Sequence, residues 1–172
     1  FVDSMADLAF GSMASGKSYS GLQTPGGTGA LRLLLELWRH ANPDGAVWLG
    51  TPSWPVHETM IRRVGAPLQT YVHYDIAAQS DCPDNLLTAI RSANPGDLFL
   101  LQGCCHNPSG ADPDTSLWRT IGEALASVDA IPLVDLAYQG LGDGLDEDAA
   151  GLRILLDHVP ELLLAYSCDK NF

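Results

Sequence analysis

Positive charge is scarce in this chain. Nine lysines and arginines stand against 21 aspartates and glutamates, a formal net charge of -12 over 172 residues. No basic patch stands out, which argues against binding to nucleic acid or to an anionic membrane. Long apolar runs are also lacking. None is long enough to span a bilayer, and these residues show no signal-peptide pattern. The four cysteines include an adjacent pair, Cys104 and Cys105, but no Cys-x-x-Cys spacing and no metal-finger pattern. A reduced cytoplasmic protein without a bound metal is the simplest expectation. What is present is a globular composition, 46% hydrophobic and 17% charged, sufficient for one sizeable core.

The apolar residues alternate between helical and strand patterns. Leu31, Leu34, Leu35 and Trp38 recur at helical spacing, and Ala46 to Leu49 reads as a short strand. Met60, Ile61 and Val64 suggest the next helix, and Leu68 to Val72 a weaker strand. A helix carrying Leu86, Leu87 and Ile90 is expected to begin near Pro83, a favoured first-turn residue. Leu98 to Leu101 is a buried strand. Trp118, Ile121, Leu125 and Val128 form a helical stripe that Asp114 caps. Ile131 to Val134, a helix through Leu152, Leu155 and Leu156, and a final strand Leu162 to Ala165 complete the series. Short buried strands alternating with helices predict an α/β protein, a three-layer α/β/α arrangement around a mostly parallel sheet. Ligands bind such sheets at the carboxyl ends of the strands, so chemistry is sought just after each strand.

Gly11 to Ser18 fits the phosphate-loop pattern G-x-x-x-x-G-K-[ST]. Such a loop must leave a buried strand and open a helix. Asp3 to Phe10 makes a poor buried strand, and Gly21, Pro25, Gly26 and Gly27 follow too soon for a helix to open there. A nucleotide site is therefore not expected.

Five junctions carry conspicuous residues. In Gln23 to Leu31, glycines let the backbone approach an anion ahead of a helix, although a tight turn would look the same. In Thr51 to His57, Trp54 stands between two prolines. It suits stacking on a flat ring, or else covers the sheet edge. His57 alone would more often be structural. In Cys104 to Gly110, Asn107 precedes a proline and is held extended at a strand end, or belongs to a simple turn. In Asp135 to Gly140, an acid ends an apolar strand and needs a partner, which a protonated ring nitrogen would supply. In Ser167 to Lys170, a lysine ending a buried strand needs its charge paired or removed by covalent chemistry.

Taken together, TPGGTGALR at Thr24 to Arg32, PSWPVH at Pro52 to His57, CCHNPSGADP at Cys104 to Pro113, DLAYQGLGDGLDEDA at Asp135 to Ala149 and SCDKNF at Ser167 to Phe172 resemble the class I aminotransferases. This is the aspartate and aromatic amino-acid branch of the fold-type I pyridoxal-phosphate enzymes. The segments fall in the family's order, and the likeness runs through nearly the whole chain from about Gly21. The resemblance implies pyridoxal 5'-phosphate as cofactor and transamination between an aspartate or aromatic amino acid and a 2-oxo acid such as 2-oxoglutarate. It also implies a homodimer in the full-length protein.

By the same resemblance, Lys170 matches the lysine that holds the cofactor as a Schiff base and then moves the substrate proton. Asp135 matches the acid that pairs with the pyridine nitrogen, and His57 the histidine behind it. Tyr138 and Asn107 match the two donors to the ring's phenolic oxygen, and Trp54 the stacking aromatic. Gly27, Thr28 and Ser167 match the phosphate cradle, with Gly26 beside them. Asp169 departs from the serine common at its position, and a second negative charge there should weaken phosphate binding unless the side chain turns away. Gln102 departs from a histidine and Ser109 from a threonine.

Phe1 and the run that stops at Lys170-Asn171-Phe172 suggest cuts inside a longer chain. Residues 1–172 would then form part of the large cofactor-binding domain, without its small domain. A lyase or decarboxylase of the same fold, and a non-catalytic aminotransferase-like regulator, are the competing readings.

Overall fold

In a computed structural model that describes residues 1–12 and 18–171, five parallel strands form the central sheet in the order β2-β1-β5-β6-β7. They are β1 (Val47–Thr51), β2 (Leu68–Val72), β5 (Leu98–Gln102), β6 (Ile131–Leu136) and β7 (Leu163–Tyr166). β3 (Tyr74–Asp75) and β4 (Ser80–Asp81) pair antiparallel in a small separate hairpin that the sequence patterns do not foretell. The helices are α1 (Val2–Phe10), α2 (Gly26–Ala41), α3 (Pro55–Arg63), α4 (Pro83–Arg91), α5 (Thr115–Val128) and α6 (Ala150–His158).

The period-2 alternation of the strands splits the core into two layers. Leu98 and Leu100 of β5 point to the face covered by α2 and α3, where Leu31, Leu35, Trp38, Met60 and Ile61 are buried. Phe99 and Leu101 point to the opposite face, against Leu86 and Ile90 of α4, Trp118, Ile121 and Leu125 of α5, and Leu152 and Leu155 of α6. The structure is therefore the three-layer α/β/α arrangement with a parallel sheet. α5 starts where the Asp114 carboxylate accepts a hydrogen bond from Leu117 N at 2.7 Å, satisfying one of the free first-turn amides as a good helix cap does.

One local expectation holds and one needs correction. The run ahead of the phosphate-loop pattern is the helix α1, with Gly11 at its carboxyl end. Arg153 holds α1 through the carbonyls of Ala9 and Leu8 at 3.0 and 3.2 Å. Residues 13–17 of the pattern itself lie outside the described residues. Gly26 and Gly27, expected in a loop, form the first turn of α2. The positive φ of 68° at Gly26 lets the chain swing from the irregular segment before it straight into the helix.

The sheet switches direction between β1 and β5. After β1 the chain adds β2 on one side, then returns to place β5 on the other. Loops leaving β1, β5, β6 and β7 thus converge at one edge. Asp97, only 2% exposed, holds the opposite end of these strands together. Its carboxylate accepts from Ala46 N at 2.9 Å, Trp48 Nε1 at 2.9 Å and Asn94 N at 3.0 Å. Replacing Asp97 with alanine strands these donors, so the full-length protein should lose about 2–4 kcal/mol in chemical denaturation. A loss of only a few tenths would show that the carboxylate does not anchor the strands.

Candidate functional site

The carboxyl edge of the sheet gathers most of the residues that the sequence singles out. Asp135 is the penultimate residue of β6 and 9% exposed, with its side chain at the floor of that edge. Pro55 sets the first turn of α3, and this places His57 completely out of solvent beneath the acid. His57 Nε2 lies 2.8 Å from Asp135 Oδ2, and His57 Nδ1 lies 2.9 Å from Ser53 Oγ. Where Asp135 is ionised and His57 neutral, Nε2 carries the proton and Nδ1 accepts from the serine hydroxyl. The result is a directional chain, Ser53 to His57 to Asp135, that leaves Asp135 Oδ1 for another donor. Sequence reasoning found the acid and the histidine but not Ser53. Its only signal was the spacing of four residues from His57 at a helix start. Trp54, half-buried at the head of α3, meets the His57 ring edge-on, with centroids 5.2 Å apart and an interplanar angle of 87°.

Asn107 follows β5 and is fixed through its backbone. Gln102 Nε2 donates to Asn107 O at 3.0 Å, and Gln102 Oε1 accepts from Asn107 N at 2.8 Å. An amide side chain can do both at once, which gives the departure at Gln102 a structural role. Behind this turn, His106 stacks obliquely on His73 with centroids 4.2 Å apart. Ser109 Oγ lies 2.8 Å from His106 Nδ1. Burial, with His73 beside it, pushes the His106 imidazole down to about 4, and burial lowers His73 as well. Both rings are therefore neutral props at physiological pH.

The lysine stands differently from the expectation. Lys170 does not end a buried strand. β7 stops at Tyr166, the chain turns, and Asn171 N donates back to Cys168 O at 3.0 Å. Lys170 is exposed, with Nζ 4.9 Å from the centre of the Tyr138 ring. Its charge is thus hydrated and rests against an aromatic face, so no burial penalty arises. Asn171 Nδ2 donates to Gln139 O at 2.8 Å, which ties the lysine turn to the loop bearing Tyr138.

The last group is the start of α2. Pro25 at the N-cap supplies no side-chain cap, and among the described residues no side chain takes up the first amides of this helix. Gly27 is buried against Ser167, where an added Cβ would lie 3.0 Å from Ser167 Cβ. Thr28 is exposed beside it, and Ser167 is 5% exposed. Free amides with positive dipole character, a close-approach glycine and a serine hydroxyl are what an anionic group requires.

An acid at a strand end, a buried histidine holding it, an accessible lysine over a tyrosine ring and an uncapped helix start thus stand at the carboxyl ends of the strands of an α/β sheet. The family model for aminotransferase class I and II matches residues 1–172. The chain belongs to that family. It is 44% identical over 172 residues to an aromatic-amino-acid aminotransferase of Paracoccus denitrificans, covering all of this chain and 44% of that relative. Among solved structures, an aromatic amino acid aminotransferase with 3-indolebutyric acid superposes with a TM-score of 0.95 at 44% identity, over 99% of this chain and 43% of that one. An aromatic-amino-acid aminotransferase from Burkholderia pseudomallei, covalently bound to pyridoxal phosphate, gives 0.94 at 29% identity, over 98% of this chain and 43% of that one. The chain therefore spans less than half the length of the relatives it matches.

The Ser53–His57–Asp135 chain makes a spectroscopic prediction. Nitrogen-15 NMR of the full-length protein at pH 8 should find His57 protonated on Nε2 with an unprotonated Nδ1. Replacing Ser53 with alanine should leave the Nε2 proton in place and shift the Nδ1 resonance as its donor is lost. A proton on Nδ1 in the unaltered protein would contradict the direction of the chain.

Proposed function

We propose that the protein containing this chain is a pyridoxal-phosphate-dependent aminotransferase. It transfers an amino group from an aspartate or aromatic amino acid to a 2-oxo acid such as 2-oxoglutarate. The observation that carries this reading is the convergence of a histidine-backed acid and an accessible lysine at one sheet edge. The family match across the whole chain supports it, as does the relative covalently bound to pyridoxal phosphate. The residues present fit such a cofactor. Asp135 is a buried carboxylate with one oxygen already oriented, and Lys170 is a solvent-accessible amine. The close approach of Gly27 to Ser167 shapes a cradle that a larger residue would fill.

When bound, pyridoxal phosphate supplies an electron sink for the charge left on the amino-acid alpha carbon after proton removal. Asp135 keeps a negative charge at the point where ring-nitrogen protonation is favoured. His57 and Ser53 hold that carboxylate in one orientation, so no reorganisation is needed during the reaction. Trp54 offers an aromatic face, and Tyr138 and the Asn107 amide offer donors for the ring oxygen. The first turn of α2 and Ser167 would receive the phosphate. Lys170 would be the residue that holds the cofactor covalently, and its free amine would be the base that carries the substrate proton.

The chain is then part of the large domain of a cytoplasmic homodimer. A substrate-carboxylate arginine and a small domain would be supplied by residues outside it. The position of β7 at the end of the sheet fits this view, because a cavity of about 630 Å³ runs along it, lined in part by Leu34, Leu37, Leu163 and Tyr166. Apolar walls beside a sheet edge suit further packing of the same chain.

The chemistry is tested by borohydride treatment of the full-length protein loaded with pyridoxal phosphate, followed by peptide mass spectrometry. The reduced cofactor should be found on Lys170, and Lys170→Ala should abolish both labelling and keto-acid production. Labelling of another lysine, or retained turnover in Lys170→Ala, would overturn the assignment.

A further inference from the structure

Asp169 stands out once the cradle has been described. It follows Ser167 by two residues and precedes the lysine, and its side chain does not turn away from the anion site. It is directed at the start of α2, where a Cβ placed on Gly26 would lie 2.9 Å from Asp169 Oδ2. Its backbone N donates to Ser167 Oγ at 3.3 Å, so the residue is tied to the same serine that lines the cradle. A carboxylate therefore sits at the positive end of a 16-residue helix whose first amides have no side-chain cap. That is the place where the reading above requires a phosphate dianion.

We propose that Asp169 is a specificity-determining residue that weakens the hold of this site on the cofactor's phosphate. Two effects act in the same direction. The carboxylate repels a phosphate through space. It also offers its own negative charge to the helix dipole, which reduces the gain from bringing in another anion. Asp169 is exposed, so water and salt screen the repulsion and the effect is a graded weakening rather than an exclusion. The predicted character is an exchangeable cofactor, one that depends more on the covalent link at Lys170 and the contact at Asp135 than on its phosphate. This inference rests on the reading of α2 and Ser167 as the phosphate cradle.

The test compares pyridoxal phosphate with pyridoxal, which attaches through the same aldehyde but lacks the phosphate. Affinities of both are measured by absorbance titration of the full-length protein, unaltered and carrying Asp169→Asn or Asp169→Glu. Removing the charge can also change the reactivity of the neighbouring Lys170, but that change affects both ligands alike, and their ratio cancels it. Asp169→Asn should tighten pyridoxal phosphate by about tenfold or more at low salt while pyridoxal stays within about twofold. The gain should shrink as salt is raised, and Asp169→Glu should remain close to the unaltered protein. Parallel shifts for the two ligands, or no shift for either, would overturn the proposal while leaving the function intact. Failure of both ligands to attach at Lys170 in every form would overturn the reading of function and this inference with it.

Discussion

The hydrogen bond between His57 Nε2 and Asp135 Oδ2, 2.8 Å long and out of solvent, is the constraint on which the rest of the site depends. A carboxylate at the end of an apolar parallel strand is costly to keep charged without a partner. His57 supplies that partner from a different layer of the fold. The bond therefore joins the end of β6 to the first turn of α3 and fixes their separation. Because Ser53 occupies the far nitrogen, the imidazole is held at both ends and the carboxylate has one orientation. The bond thus leaves a carboxylate in a fixed place at this edge.

The parallel topology explains why the other groups are within reach. Each strand ends at the same edge, and the switch between β1 and β5 is where a parallel sheet generally offers a ligand crevice. β1 leads to Ser53, Trp54 and His57, β5 to Asn107, β6 to Asp135 and Tyr138, and β7 to Ser167 and Lys170. α2 packs on β7 and β6 and brings its uncapped start to Ser167. Supporting contacts are of the same kind throughout. Gln102 clamps Asn107, Asn171 ties the lysine turn to the Tyr138 loop, and Asp148 gathers the amides of Gly140, Gly142 and Asp143 at 2.8 to 2.9 Å. Side chains that bond to backbone hold loops that carry no regular structure of their own.

Most of this frame is legible in the sequence because apolar spacing reports burial directly. The stripe Trp118, Ile121, Leu125 and its cap at Asp114 appear in the structure as read, and Leu68 to Val72 is the strand expected. The misses have physical causes. α1 is short and buries only Ala6 and Ala9, and it is held largely by Arg153 from far along the chain. The glycines at α2 look like a loop because their helical propensity is poor, yet Ser167 requires a residue without a Cβ there. Lys170 looked like a strand end because Leu162 to Ser167 is apolar, whereas the turn closed by Asn171 carries it into solvent. Ser53 and Gln102 were not readable as partners, since their bonds depend on tertiary placement that spacing does not encode. The residues of the candidate site were legible only as an ordered set, through the family resemblance.

The central claim is that Asp135, held by His57, keeps a cofactor ring nitrogen protonated at this sheet edge. Nitrogen-15 NMR of the full-length protein loaded with pyridoxal phosphate labelled at the ring nitrogen measures this directly. The account predicts a protonated ring nitrogen at pH 8 in the unaltered protein and a largely deprotonated one in Asp135→Asn, since each pKa unit lost corresponds to about 1.4 kcal/mol of charge stabilisation. A ring nitrogen equally protonated in both proteins, or unprotonated in the unaltered one, would contradict it.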